Sequence, residues 1–184
     1  MLFDLRKFCL ALLVTCVLLG AVSAQEPKEV VEAFQENLKQ YVKLRERLED
    51  KLPHLSKEST PEEIEAHETA LKKLVQGARV DAKPGDLFSV AAAEHIRATI
   101  RSEFRGSDRP KLREAALGAD TKGVPVRVNQ PYPDYKELTQ IPPTLLLRLP
   151  ELPEQVKYRF VGRYLLLVDA KNALILDYIP DALP

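Results

Sequence analysis

Between Pro27 and Leu55 the apolar residues Val31, Phe34, Leu38, Tyr41, Leu48, Leu52 and Leu55 recur at alternating steps of three and four, with Arg45 in the one missing place. That spacing lays a single apolar stripe along a helix. Pro53 ends it after about 26 residues, or roughly 39 Å, and Arg45 reads as a wet interruption of the seam. The stretch STPEE then offers Thr60 as N-cap, Pro61 at the first helical position and Glu63 at the capping-box position. Ile64, His67, Leu71, Leu74 and Ala78 continue the three-four rhythm, Gly77 weakens the end, and Pro84-Gly85 stops it. Matching seams and a short connection predict that these two helices form an antiparallel hairpin. A third helix is predicted from Asp86 as N-cap, with Phe88, Ala92, Ile96, Ile100 and Phe104 on one side and Gly106 as its stop. A shorter helix, Pro110 to Leu117, precedes the loop at Gly118.

The pattern changes after Gly123, since residues 125–153 hold seven of the chain's 14 prolines, which rules out long regular elements there. Val124 to Val128 suit an edge strand, where Pro125 need not donate to a ladder. Pro142 and Pro143 suit the start of a short helix through Leu149, closed by Pro150. The ending YRFVGRYLLLVDAKNALILDYIP reads as three strands joined by a two-residue turn at Gly162-Arg163 and a second turn over Asp169 to Asn172, with Asn172 able to take the left-handed conformation.

Strict alternation puts Tyr158, Phe160, Leu165, Leu167, Leu174, Leu176 and Tyr178 on one face of this meander. Arg159, Val161, Tyr164, Leu166, Ile175, Asp177 and Ile179 fall on the other, which is too apolar for open water. The long helices suit the first face. Leu145, Leu146 or Leu149 of the short helix are expected to cover the second, with a second copy of the chain as the alternative. The class is therefore α+β: an N-terminal α-helical hairpin and further helices packed on a small C-terminal antiparallel β-meander. Residues 25–122 form the helical region and 123–184 the proline-rich segment and meander, together one domain.

The first 24 residues have a different character. Arg6 and Lys7 precede the apolar run FCLALLVTCVLL, and Val22 and Ala24 are small residues spaced for a signal peptidase. This is a signal-peptide pattern, shorter than a membrane-spanning helix needs, and it predicts cleavage after Ala24 and an exported chain, periplasmic or secreted. Thr15 before Cys16 argues against a lipoprotein site. Both cysteines, Cys9 and Cys16, leave with the leader. The mature chain then has neither disulfides nor thiol chemistry, and its expected length of about 160 residues is enough for one cored domain. The 27 basic and 27 acidic residues of the chain include Arg6, Lys7 and Asp4 of the leader, so the mature formal charge is −1. Without a run of one sign, neither nucleic acid nor an anionic membrane surface is an expected ligand.

With VRVNQPYPDY and IPPTLLLRLPELP before it, the ending YRFVGRYLLLVDAKNALILDYIPDALP resembles an uncharacterised family of exported bacterial proteins over about Thr60 to Pro184. The resemblance implies a cleaved signal, helices first and a β-meander last, and it carries no activity or site residues.

Candidate chemistry is sparse. HETAL at His67 begins like a zinc-protease helix, but Leu71 stands where the second histidine is needed. GADTKGVP has phosphate-loop glycine spacing, yet Val124 and Pro125 occupy the Lys and Ser/Thr positions. Nucleophile-elbow and dinucleotide motifs are absent. Glu63 with His67 and Glu94 with His95 offer a Glu/His cluster, the basis of an alternative hydrolase or metalloenzyme reading, if their helices meet. No ligand set is complete, and Glu94 and His95 point about 100° apart on their helix. The loop NQPYPDY supplies the preferred binding residues Asn129, Tyr132, Asp134 and Tyr135, as rigid amphipathic contact area. Tyr132 and Tyr135 could instead fold back as a lid on the meander. The expectation is a non-catalytic interaction module without a cofactor. Its partner would be an envelope protein or small ligand, with self-association open.

Overall fold

The computed structural model describes residues 27–105, 110, 114, 123, 125–132 and 141–183. Three helices come first, α1 (Pro27–Glu49), α2 (Pro61–Ala78) and α3 (Val90–Glu103). A one-turn helix α4 (Pro143–Leu146) follows, and then an antiparallel sheet of β1 (Val156–Val161), β2 (Tyr164–Asp169) and β3 (Ile175–Ile179) in the order β1-β2-β3. This is the expected α+β arrangement with a terminal meander.

The helix ends follow local chemistry. At α2 the Thr60 hydroxyl accepts from the Glu63 amide while the Glu63 carboxylate accepts from the Thr60 amide, with Pro61 opening the helix. At α3 the cap is Ser89, whose hydroxyl accepts from the Ala92 amide, and not Asp86. Asp86 instead accepts from the Lys83 amide and holds the preceding turn. The C-terminal stop expected at Gly106 and most of the helix expected at Pro110–Leu117 lie outside the described residues.

α1 packs against both α2 and α3. Phe34, Leu38, Tyr41 and Leu48 enter the main core as their spacing predicts, and Val30 is buried where Val31 was expected. Leu71 and Val75 supply the α2 face, whereas Ile64 is exposed. Phe34 stacks on Phe88 with ring centroids 5.2 Å apart. The expected wet interruption at Arg45 is buried instead. Its Nε lies 3.0 Å from Asp169 Oδ2, and its Nη1 lies 2.7 Å from the Glu49 carboxylate. The Tyr41 hydroxyl donates to the same Asp169 oxygen at 2.6 Å. Burial, then the adjacent carboxylate, pushes the Tyr41 pKa far up, so the hydroxyl stays a donor. Asp169 also accepts from the Lys171 and Asn172 amides, so one carboxylate both shapes the β2–β3 turn and ties it to α1.

A second buried carboxylate, Asp177, ties β3 to the α2–α3 connection by accepting from the amides of Gly85, Leu87 and Phe88 at 2.8–2.9 Å, and from Tyr178. Gly85 has φ 96°, a backbone state that side-chain-bearing residues rarely adopt. Burial raises the Asp177 pKa, and the four amides oppose that rise.

The meander departs from strict alternation at one point. Leu167 pairs with Asp177 but Val168 pairs with Ile175, leaving Leu176 as an extra residue. This bulge reverses the parity of β3. Asp177 and Ile179, expected on the second face, lie on the helix side, and Tyr178 joins the second face, edge-to-face with Tyr164. In the turn, Ala173 and not Asn172 takes positive φ, at 55°. The second face is not covered by the short helix as expected, and Tyr132 folds back over the meander as in the lid alternative. Leu145 and Leu149 belong to the main core and Leu146 is exposed, while Val161, Leu166, Val168 and Ile175 are covered by Tyr132, with Val126 beside them.

No strand forms over residues 125–128. Pairing comes slightly later, where the Asn129 and Tyr132 amides donate to the carbonyls of Ile175 and Ala173. The proline at 131 leaves both donors available, and the segment closes the β3 side of the sheet.

Candidate functional site

Among the described residues β1 ends the sheet order, so its outer side is a sheet edge. Two prolines start α4 beside it, and Pro150 and Pro153 prevent that helix from continuing. The chain turns back through a bond from the Val156 amide to the Pro153 carbonyl. Between these elements lies a groove of about 610 Å³, walled by Ile141, Pro143, Leu146, Pro150 and Leu152 and floored by Val156 to Arg159. Side chains along a strand alternate between faces. Four consecutive residues can line one groove only if it runs along the strand's edge, against the main chain.

The groove is apolar with polar margins. The Tyr158 hydroxyl donates to the Pro150 carbonyl, pinning the α4–β1 link, and burial pushes its pKa far up. Lys157 donates to the Ala170 carbonyl at 3.2 Å, and Glu151 also lines the groove. Arg159 is the distinctive group. Its Nη1 donates to the Tyr158 carbonyl at 3.0 Å, but its Nε is buried without a hydrogen-bond partner among the described residues. Among the described residues no carboxylate pairs with it, and burial lowers its pKa, with Tyr132 opposing. Leu146, which lines the groove, is 51% exposed, and its chain neighbour Leu147 is 88% exposed.

The residues singled out from sequence occupy other places. Asn129, at φ 64°, donates through Nδ2 to the carbonyls of Gln76 and Arg79, while Gln76 Nε2 donates to the Asn129 carbonyl. It thereby satisfies carbonyls left open at the end of α2. Tyr132 is buried in the second cluster, its hydroxyl without a hydrogen-bond partner among the described residues. Asp134 and Tyr135 lie outside the described residues.

Glu63 and His67 line one cleft together with His54. Exposed Glu94 and half-buried His95 are on α3 and do not line that cleft. Among the described residues no three His, Cys, Asp or Glu side chains are grouped to hold a metal ion, and no helix is long and apolar enough to cross a membrane.

Sequence reasoning missed the groove, although its signals were present. A three-stranded meander must have two edges, and LLL between prolines beside the first strand marks apolar residues that cannot all turn inward. No protein-family model, curated protein or solved structure matches this chain.

Proposed function

We propose that the chain is an exported, non-catalytic binding module that holds its partner in the groove along β1. The observation that carries this reading is the groove itself: apolar walls, an exposed Leu146 among them with exposed Leu147 next to it in the chain, and an Arg159 guanidinium that no carboxylate among the described residues pairs with. Apolar surface concentrated beside a few oriented polar groups is the usual composition of a ligand site. A photo-crosslinking residue placed at Leu147 in the producing cell tests the reading, with Val80, 75% exposed on another part of the surface, as control. A discrete adduct at position 147 that is missing at position 80 is the expected result. Equal labelling at both, or none, would overturn it. Export is tested by intact mass on envelope-fraction protein, which should begin at Gln25. A product retaining the first 24 residues would refute cleavage.

A further inference from the structure

We infer that the β1 edge binds an extended peptide by strand addition, and that the peptide alternates apolar and acidic residues. This rests on the binding-module reading and specifies the ligand class and binding mode.

The hairpin fixes which main-chain groups face outward. Val161 and Tyr164 flank the two-residue turn at Gly162-Arg163, where Gly162 has φ 53°. The pair closing such a turn exchanges hydrogen bonds, and paired positions then alternate along the ladder. Val161, Arg159 and Lys157 therefore bond inward to Tyr164, Leu166 and Val168. Tyr158 and Phe160 direct their N–H and C=O groups away from β2. The Tyr158 carbonyl is used by Arg159, and among the described residues nothing pairs with the Tyr158 amide or with either main-chain group of Phe160. An unpaired edge is a template for another strand unless something covers it.

The groove supplies room for that strand and sets its side-chain pattern. A peptide on this edge would alternate its side chains between the two faces of the sheet. One set falls on the main-core side, against Ile141, Leu146 and Leu152. The other falls on the face that Arg159 shares with Val161 and Tyr132. There a carboxylate would meet the half-buried Arg159 guanidinium, which no carboxylate among the described residues pairs with, and opposite charges side by side on neighbouring strands stabilise pairing. Backbone bonds would give affinity, and the alternation specificity.

The test uses a synthetic decapeptide of alternating Val and Glu, the same peptide with Lys in place of Glu, and a third with alternate amides N-methylated. Binding to the ¹⁵N-labelled chain is followed by amide exchange. The Val-Glu peptide should slow exchange at the Tyr158 and Phe160 amides by on the order of tenfold at saturation. The Val-Lys peptide should bind at least about fivefold more weakly, and N-methylation should abolish binding. Arg159→Glu should invert the charge preference, and the Glu/Lys comparison stands without that variant if it fails to fold. No binding by the Val-Glu peptide at millimolar concentration, equal binding of the Lys form, or binding without protection of Tyr158 and Phe160 would each overturn strand addition. An adduct at position 147 with none of these peptide effects would leave the groove a binding site for another kind of ligand. Absence of the adduct would remove the site itself.

Discussion

Replacing Arg45 with Met tests whether the buried ion pair between α1 and the β2–β3 turn holds the two layers in register. The pair is almost wholly removed from solvent, with 3% of the Arg45 side chain and none of Asp169 exposed. Removing one member of a buried pair commonly costs about 3–5 kcal/mol, because the other charge is left uncompensated. Asp169 would keep the Tyr41 hydroxyl and two backbone amides, which places the expected loss near about 3 kcal/mol, the lower end of that range. Against a total stability of about 5–15 kcal/mol, that is a large fraction. With a urea slope of about 2 kcal/mol per molar, the midpoint should fall by roughly 1.5 M. Asp169→Asn alone should cost less, since Arg45 retains Glu49. The double variant should lose at least about 1 kcal/mol less than the two single losses together, as coupled sites do. An Arg45→Met midpoint within error of the parent, or strict additivity in the cycle, would refute the structural role assigned to this pair.

Asp177→Asn places an amide donor where the Gly85, Leu87, Phe88 and Tyr178 amides all require an acceptor; a loss of about 1–3 kcal/mol in thermal unfolding is expected, and an unchanged melting temperature would contradict the arrangement. At Glu49 burial raises the pKa, but Arg45 and Lys171 outweigh it and the net shift is downward. A depressed carboxyl pKa contributes stability above the unfolded value of about 4.3, lost as pH falls through the folded value. The penalty of Glu49→Gln, under about 1 kcal/mol for this partly exposed group, should therefore be present at pH 7 and vanish in acid. A penalty that grew below pH 4 would reverse the sign argued here.

The sequence by itself determined the local events, because caps, helical stripes and tight turns depend on residues a few positions apart. Thr60, Pro61 and Glu63 set the start of α2 without help from the rest of the chain, and Gly162-Arg163 set the first hairpin. The class followed from these pieces. Three outcomes belonged to the tertiary structure. Arg45 looked like a wet break because the sequence does not show that Asp169, 124 positions away, enters the same seam. Asp177 and Ile179 turned to the helix side because Leu176 bulges, and parity along a strand is lost whenever one extra residue enters the ladder. The second face was covered by Tyr132 while α4 joined the main core, leaving a groove beside β1. Periodicity shows that an apolar face needs cover, but which segment reaches it depends on chain path and packing, and these are decided only when the layers meet.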